Sequence, residues 1–268
     1  MSHLIELIRA NISNLVYQAF PSLNAELILG LLIGAKDITE LQTFNDMMRG
    51  IGLVHIVVVS GYNINLVFEL VLKLVGSKFK FLNLFSAQIL VTLYALITGF
   101  QIPTARALIM TSILYWTRFL GYKVSPFYLL IFSAFVIILY DREALTNLSF
   151  QLSFAATLGL ITLGNVLSKP TSKLPLPVTL GKDLSTTFSA QIFVLPIIYK
   201  AFRSLNLVGF LSNPVILWLV PLMTITSIIF ISASFVSPTL GLVAKFPLLL
   251  LTTIFIKSSN FMFRIFSA

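Results

Sequence analysis

Cysteine is absent from the 268 residues, which excludes disulfides, thiolate nucleophiles and sulfur-ligated metals. Charge is scarce too: 10% of the residues are Asp, Glu, Lys or Arg, against about 25% in a soluble domain. Histidine occurs twice, at His3 and His55, and neither sits in an HExxH or comparable ligand spacing, so no metal site is expected. No glycine-rich loop offers a cradle for a nucleotide phosphate, which excludes an internal motor. No internal repeat of the kind that marks many secondary transporters is present. Met1 to Asn14 holds Glu6 and Arg9 among spaced apolar positions, unlike a secretory signal, which places positive charge ahead of an unbroken apolar run.

What is there is apolar. Hydrophobic residues make up 57% of the chain and the mean hydropathy is +0.98. Too little polar side chain remains to cover a water-facing globule, so the expected class is an all-α, multi-pass membrane protein. One helix crossing needs about 20 residues, which leaves room for seven to nine spans, with about eight expected. A cytosolic enzyme, a secreted disulfide scaffold and a disordered tail are excluded. The balance of 18 Lys and Arg against 9 Asp and Glu has two readings. One is the ordinary bias of cytoplasmic loops, and the other is an anionic substrate such as a nucleic acid.

Along the chain, Leu4, Ile5, Ile8, Ile12, Leu15, Val16 and Ala19 recur at helical spacing, with Glu6, Arg9 and Asn14 opposite and Pro21 as the stop. This predicts an interfacial amphipathic helix. Ala25 to Ala35 is too short to cross and suits a re-entrant piece, with Gly30 and Gly34 offering a small-residue packing face. Asp37 to Arg49 is amphipathic, with Thr39 as N-cap. Residues 1–50 therefore read as interfacial and re-entrant helices, and 54–268 as a transmembrane bundle. The expected spans are Val54–Val75, Leu84–Phe100, Pro103–Leu120, Phe127–Tyr140, Leu145–Leu167, Leu184–Tyr199, Leu207–Ile231 and Leu240–Phe261. Pro196, Pro214, Pro221 and Pro247 fall inside apolar runs and are expected to kink or break them. Asn213-Pro214 followed by Pro221 marks Leu207–Ile231 as a discontinuous helix. Eight cations (Lys73, Lys78, Lys80, Arg118, Lys123, Lys169, Lys173 and Lys182) follow odd-numbered spans, against three (Arg142, Lys200 and Arg203) in the opposite loops. That places the former loops in the cytoplasm.

Polar groups inside hydrocarbon need a partner or a wet cavity. The densest cluster is Gly52, His55, Ser60, Gly61, Asn63, Asn65 and Glu69, of which His55, Tyr62, Asn65 and Glu69 can share one helix face. Either these side chains bond between helices and fix packing, or they line a water-filled path. Arg106 lies about a turn inside its span and either snorkels to the interface or meets an anion in such a path. Gln151, Ser153, Gln191 and Asn213 are further intramembrane polar groups. Catalysis fares poorly. Ser60 and His55, five apart on a helix, point about 140° from each other with no third group. Asp141 and Asp183 sit at span ends, so an intramembrane protease lacks its geometry. No catalytic residue and no cofactor are expected.

Four ordered stretches carry a resemblance. Gly52-Leu-Val-His55-Ile-Val-Val-Val-Ser60-Gly61-Tyr-Asn63, Gly99-Phe-Gln-Ile-Pro-Thr-Ala-Arg106-Ala, Phe150-Gln151-Leu-Ser153-Phe-Ala-Ala and Asn213-Pro214 with Pro221 resemble segments of the ComEC competence family. Gly30-Leu-Leu-Ile-Gly34 falls where that family has an "L-L-x-G" piece. Members are inner-membrane DNA-uptake channels. The resemblance implies a single channel domain over 1–268 that passes one DNA strand across the cytoplasmic membrane. The family's OB-like and nuclease domains have no counterpart here, so nuclease activity is not carried over. The family usually has a second histidine where Asn63 stands, and an amide cannot titrate or carry charge near neutrality.

The expected DNA path comprises His55, Ser60, Asn63, Arg106, Gln151, Ser153 and Asn213. Tyr62, Tyr94 and Tyr115 are available for base stacking. Expected partners are single-stranded DNA, membrane lipids, a cytoplasmic helicase-like ATPase and a separately encoded nuclease or DNA receptor, with a homo-oligomer left open. Two rival readings stand beside this one: a small-solute secondary transporter, and a non-conducting membrane scaffold that docks a separate nuclease.

Overall fold

The structure, a computed structural model, describes residues 2–34, 48, 50–51, 61–75, 80–171, 178–203, 216 and 218–266. Expected features at 37–47, at His55 and Ser60, and at Asn213-Pro214 lie outside them. Among the described residues the chain is all-helical, with ten α-helices and no strand. They are α1 (Ser2–Ala19), α2 (Ser22–Ile33), α3 (Gly61–Val75), α4 (Lys80–Ile97), α5 (Ile102–Phe119), α6 (Pro126–Tyr140), α7 (Leu148–Thr171), α8 (Val178–Phe202), α9 (Leu219–Val236) and α10 (Pro238–Phe266). A short 3-10 helix, Arg142–Thr146, lies between α6 and α7.

Among the described residues four helices are long and apolar enough to cross a membrane: α4, residues 148–168 of α7, α9, and residues 238–265 of α10. Helices α5, α6 and α8 are less apolar or shorter, and the expected span Val54–Val75 is described only from Gly61. Arg106 and Arg118 interrupt α5, and α8 holds Ser185, Thr186, Thr187, Ser189 and Gln191. At 15 residues, α6 reaches about 22 Å of the ~30 Å core.

Cα packing divides the chain into two compact units, residues 1–63, 96–99 and 211–268 in the first, and 64–95 with 100–210 in the second. In the first unit α2 has no polar face and is buried from Asn24 to Ile33, Asn24 and Glu26 included, as expected of a helix with no solvent face. Ile12, Val16 and Phe20 from the end of α1 cover it, together with Phe230 of α9 and Leu248 of α10. Phe20 meets Phe230 edge to face at 5.0 Å. The Asn24 amide donates to the Thr252 hydroxyl at 2.8 Å, fastening α2 to α10. Two sequence expectations change here. Arg9 does not sit on the outward face of α1, because its Nη2 donates to the Ile33 carbonyl at 3.1 Å, at the negative end of α2. Gly34 is the left-handed cap of α2, at φ 63°, rather than part of a packing stripe.

Helices α8 and α10 continue through Pro196 and Pro247, so of the expected kinks or breaks neither of these is a break. Pro221 falls in the first turn of α9, where the backbone N–H has no intrahelical partner to lose.

In the second unit α7 and α8 pair along their lengths, and α5, α6 and α7 pack on one another. Ser125 accepts from the Phe127 N–H to start α6, with Pro126 as its first residue. Asn147 accepts from the Ser149 N–H at 2.8 Å, so α7 begins at Leu148 rather than at the expected Leu145. At the end of α5, the Tyr122 N–H bonds the Thr117 carbonyl and the Gly121 N–H bonds that of Arg118, a Schellman turn with Gly121 at φ +85°. Nothing lies within 4 Å of a β-carbon added at Gly121, so only backbone strain opposes one. Gly121→Ala is expected to cost about 1–2 kcal/mol, read as a lower thermal midpoint of the purified protein; an unchanged midpoint would remove the turn from the account.

Candidate functional site

The segment Gly99–Arg106 is a helix-to-helix connection whose residue types each have a place. The Phe100 N–H bonds the Ala95 carbonyl at 3.0 Å and the Gly99 N–H bonds that of Leu96 at 3.1 Å, closing α4. Gly99 takes φ +78° in this turn and Phe100 takes +52°. Gln101 then caps α5, and Pro103 falls in its first turn. Arg106 thereby comes just past the first turn of α5, as the spacing predicts.

The segment Phe150–Phe154 meets it from α7. Arg106 Nε donates to Ser153 Oγ at 2.8 Å, and its Nη1 lies 3.8 Å from the Met110 sulfur. The guanidinium stands 6.0 Å from the centre of the Phe154 ring, a cation–π distance. Phe154 stacks on Phe150 with centroids 4.1 Å apart, and Phe150 is anchored in a small core with Ala105, Ile137 and Ala144. Gln151 donates from Nε2 to the Leu145 carbonyl at 2.8 Å, holding the corner that leads into α7.

The electrostatics of this corner favour an anion. Arg106 is half-buried, and its described partners are a hydroxyl, a thioether and a ring, all neutral. Among the described residues no carboxylate pairs with it. Arg106 is the fifth residue of α5 and Ser153 the sixth of α7, so their contact joins the second turns of the two helices. Asp141 and Glu143, near the start of α7, are exposed, and Asp141 accepts from the Glu143 N–H. A guanidinium has five N–H donors, of which Ser153 and Met110 engage two.

A second polar line joins α3 to α5. Thr111 donates to Asn65, and the Tyr115 hydroxyl reaches Glu69 at 3.5 Å. The Tyr115 ring stacks on Phe68 at 4.5 Å with Arg118 5.9 Å away, so packing already occupies a ring considered for base stacking. Tyr62, Asn65 and Glu69 are all exposed and share one face of α3, as their spacing predicts.

Of the seven expected path residues, Arg106 and Ser153 come together in the second unit, whereas Gln151, in the same unit, turns to the Leu145 carbonyl. Asn63 belongs to the first unit, fully buried, where its Nδ2 donates to the Leu31 carbonyl at 3.2 Å. His55, Ser60 and Asn213 lie outside the described residues. Sequence reasoning missed Phe154 and Met110 as neighbours of Arg106. It also passed over Glu26, a carboxylate only 5% exposed inside a stretch read as apolar. The i, i+4 spacing of Arg106 and Met110 was a usable signal, whereas nothing local announces a contact across 47 residues.

No curated protein and no solved structure matches the chain. A family model described as Competence protein matches residues 31–268, which contain every part of the corner around Arg106. With that match over most of its length, and with membrane-crossing helices of the kind its composition demands, the chain belongs to the Competence protein family.

Proposed function

We propose that the chain is a transmembrane channel that passes single-stranded DNA across the cytoplasmic membrane during DNA uptake, with about eight spans and without catalysis of its own. The observation that carries this reading is Arg106: a permanent cation, half-buried and held by neutral groups in the second turn of α5. Family membership supports a role in DNA uptake. A strand offers one phosphate per nucleotide, and the free N–H groups of a guanidinium fit two phosphate oxygens at once.

Ser153 and Phe154 act as positioning residues. The hydroxyl takes Nε and the ring faces the cation, so the outer edge of the guanidinium stays turned toward incoming phosphate. A single such contact is worth about 1.5–3 kcal/mol, enough to capture a phosphate and weak enough to release it. Because the chain holds no nucleotide-binding loop, the pull is assigned to a cytoplasmic helicase-like ATPase or to capture of the strand inside. Degradation of the other strand is assigned to a nuclease.

The test is uptake of labelled DNA by cells lacking their own channel, with this chain supplied alone and then with the nuclease. Internalised label in either arm supports the reading. Absence of label in both arms, with the protein present in the membrane, rejects it.

A further inference from the structure

A cavity of about 420 Å³ opens at the C-terminal end of α5, lined by Leu114, Arg118, Gly121, Tyr122, Lys123 and Val124. It is distinct from the Arg106 corner, which lies at the opposite end of the same helix. The Schellman turn at Gly121 builds it by reversing the chain, so that Lys123 and Val124 return beside the last turns of α5. Its two cations have no carboxylate partner among the described residues. Arg118 is exposed and stands 5.9 Å from the Tyr115 ring, which steadies it, and Lys123 is exposed. The walls contributed by Leu114 and Val124 are apolar.

Exposed aromatic side chains surround this end of the second unit. Phe81, 58% exposed at the start of α4, meets Trp116 at 6.0 Å and Phe119 at 6.1 Å. Tyr122 and Tyr128 are 67% and 69% exposed on either side of the turn. Aromatic rings of this kind mark the level of lipid headgroups, and basic pockets at that level hold anionic ones.

We propose that this cavity binds the headgroup of an anionic phospholipid, its phosphate between Arg118 and Lys123 and its glycerol and upper acyl chain along Leu114 and Val124. Both a free phosphate and a DNA strand would satisfy the two cations. Neither would use the apolar walls, and a phospholipid does. The site is independent of whether a DNA strand passes elsewhere.

The experiment is native mass spectrometry of the full chain, released gently from nanodiscs of phosphatidylcholine with a minority of phosphatidylglycerol. The wild-type protein is expected to retain one phosphatidylglycerol, and Lys123→Arg to retain it equally. Lys123→Gln and Arg118→Gln are each expected to lower retention about fivefold. Arg142→Gln, in an exposed loop away from the cavity, is expected to leave it unchanged. Lys123 is exposed, so its variant stays informative even if Arg118→Gln fails to fold. Equal retention by Lys123→Gln and wild type would overturn the proposal. Displacement of the lipid by oligothymidylate would reassign the cavity to nucleic acid, and displacement by inorganic phosphate would reduce it to a simple anion site.

Discussion

Replacing Arg106 with alanine is expected to lower DNA uptake about 10- to 100-fold while leaving the amount of protein in the membrane unchanged. A hydrogen bond to a charged group contributes about 1.5–3 kcal/mol, and each 1.4 kcal/mol is a decade. The estimate assumes that the strand makes one principal contact at this corner. Arg106→Lys keeps the charge but not the planar fork. An ammonium engaged by Ser153 presents only a point charge to the phosphate, so this variant is expected between wild type and alanine. Ser153→Ala is expected to reduce uptake several-fold, because Nε loses its acceptor and the guanidinium its orientation. Purified protein gives a second readout. Binding of single-stranded DNA weakens with salt with a slope near −0.7 per phosphate contacted, so Arg106→Ala is expected to flatten that slope by about this amount. Uptake and slope both unchanged in Arg106→Ala would remove the corner from the DNA path.

The largest stability effect is expected at Gly159, where α7 approaches α8. A β-carbon there would stand 2.1 Å from the Ser189 carbonyl oxygen and 3.0 Å from its carbon. Those atoms belong to the backbone of the facing helix, so relief requires the helices to separate. Gly164, one to two turns further along α7, has nothing within 4 Å of an added β-carbon. Small side chains hold this helix pair together, as is usual in a membrane, where apolar burial gives no advantage over lipid. Ser185 Oγ donates to the Gly164 carbonyl at 3.2 Å, and Ser189 is fully buried. Gly159→Ala is therefore expected to destabilise by about 1–3 kcal/mol or more. Gly164→Ala is expected to be neutral or to stabilise by up to about 1 kcal/mol through helix propensity. Thermal unfolding of the two purified variants in one detergent separates the cases, and equal midpoints would contradict the close approach at Gly159.

Local chemistry made part of this legible in advance. The stop of α1 before Pro21 and the place of Arg106 about a turn into α5 were read from local sequence, and the expected start of α6 at Phe127 is one residue from the observed Pro126. What pairs with what across the chain was not legible. Asn24 meets Thr252 across a sequence separation of 228, and Arg106 meets Ser153 across one of 47. Such pairings are set by helix packing, which leaves no local periodicity to read. Gly34 illustrates a real ambiguity, since its spacing from Gly30 fits a packing stripe and a helix cap equally well, and the geometry selects the cap. Pro221 was read as interior to an apolar run, because an X-Pro bond reads the same in a helix's first turn and in its interior. Arg9 was read by its side of α1, yet its length lets it reach around to the end of α2.

The central claim, that the chain conducts a DNA strand past Arg106, is most directly tested in a planar bilayer containing the purified protein alone. An applied potential takes the place of the absent motor, since each phosphate carries charge through the field. The account predicts current blockades that depend on added single strands, with the strand recovered by amplification from the far compartment, and a marked loss of both in Arg106→Ala. A bilayer that holds the protein but passes no strand, or passes it equally in the Arg106→Ala variant, would contradict it.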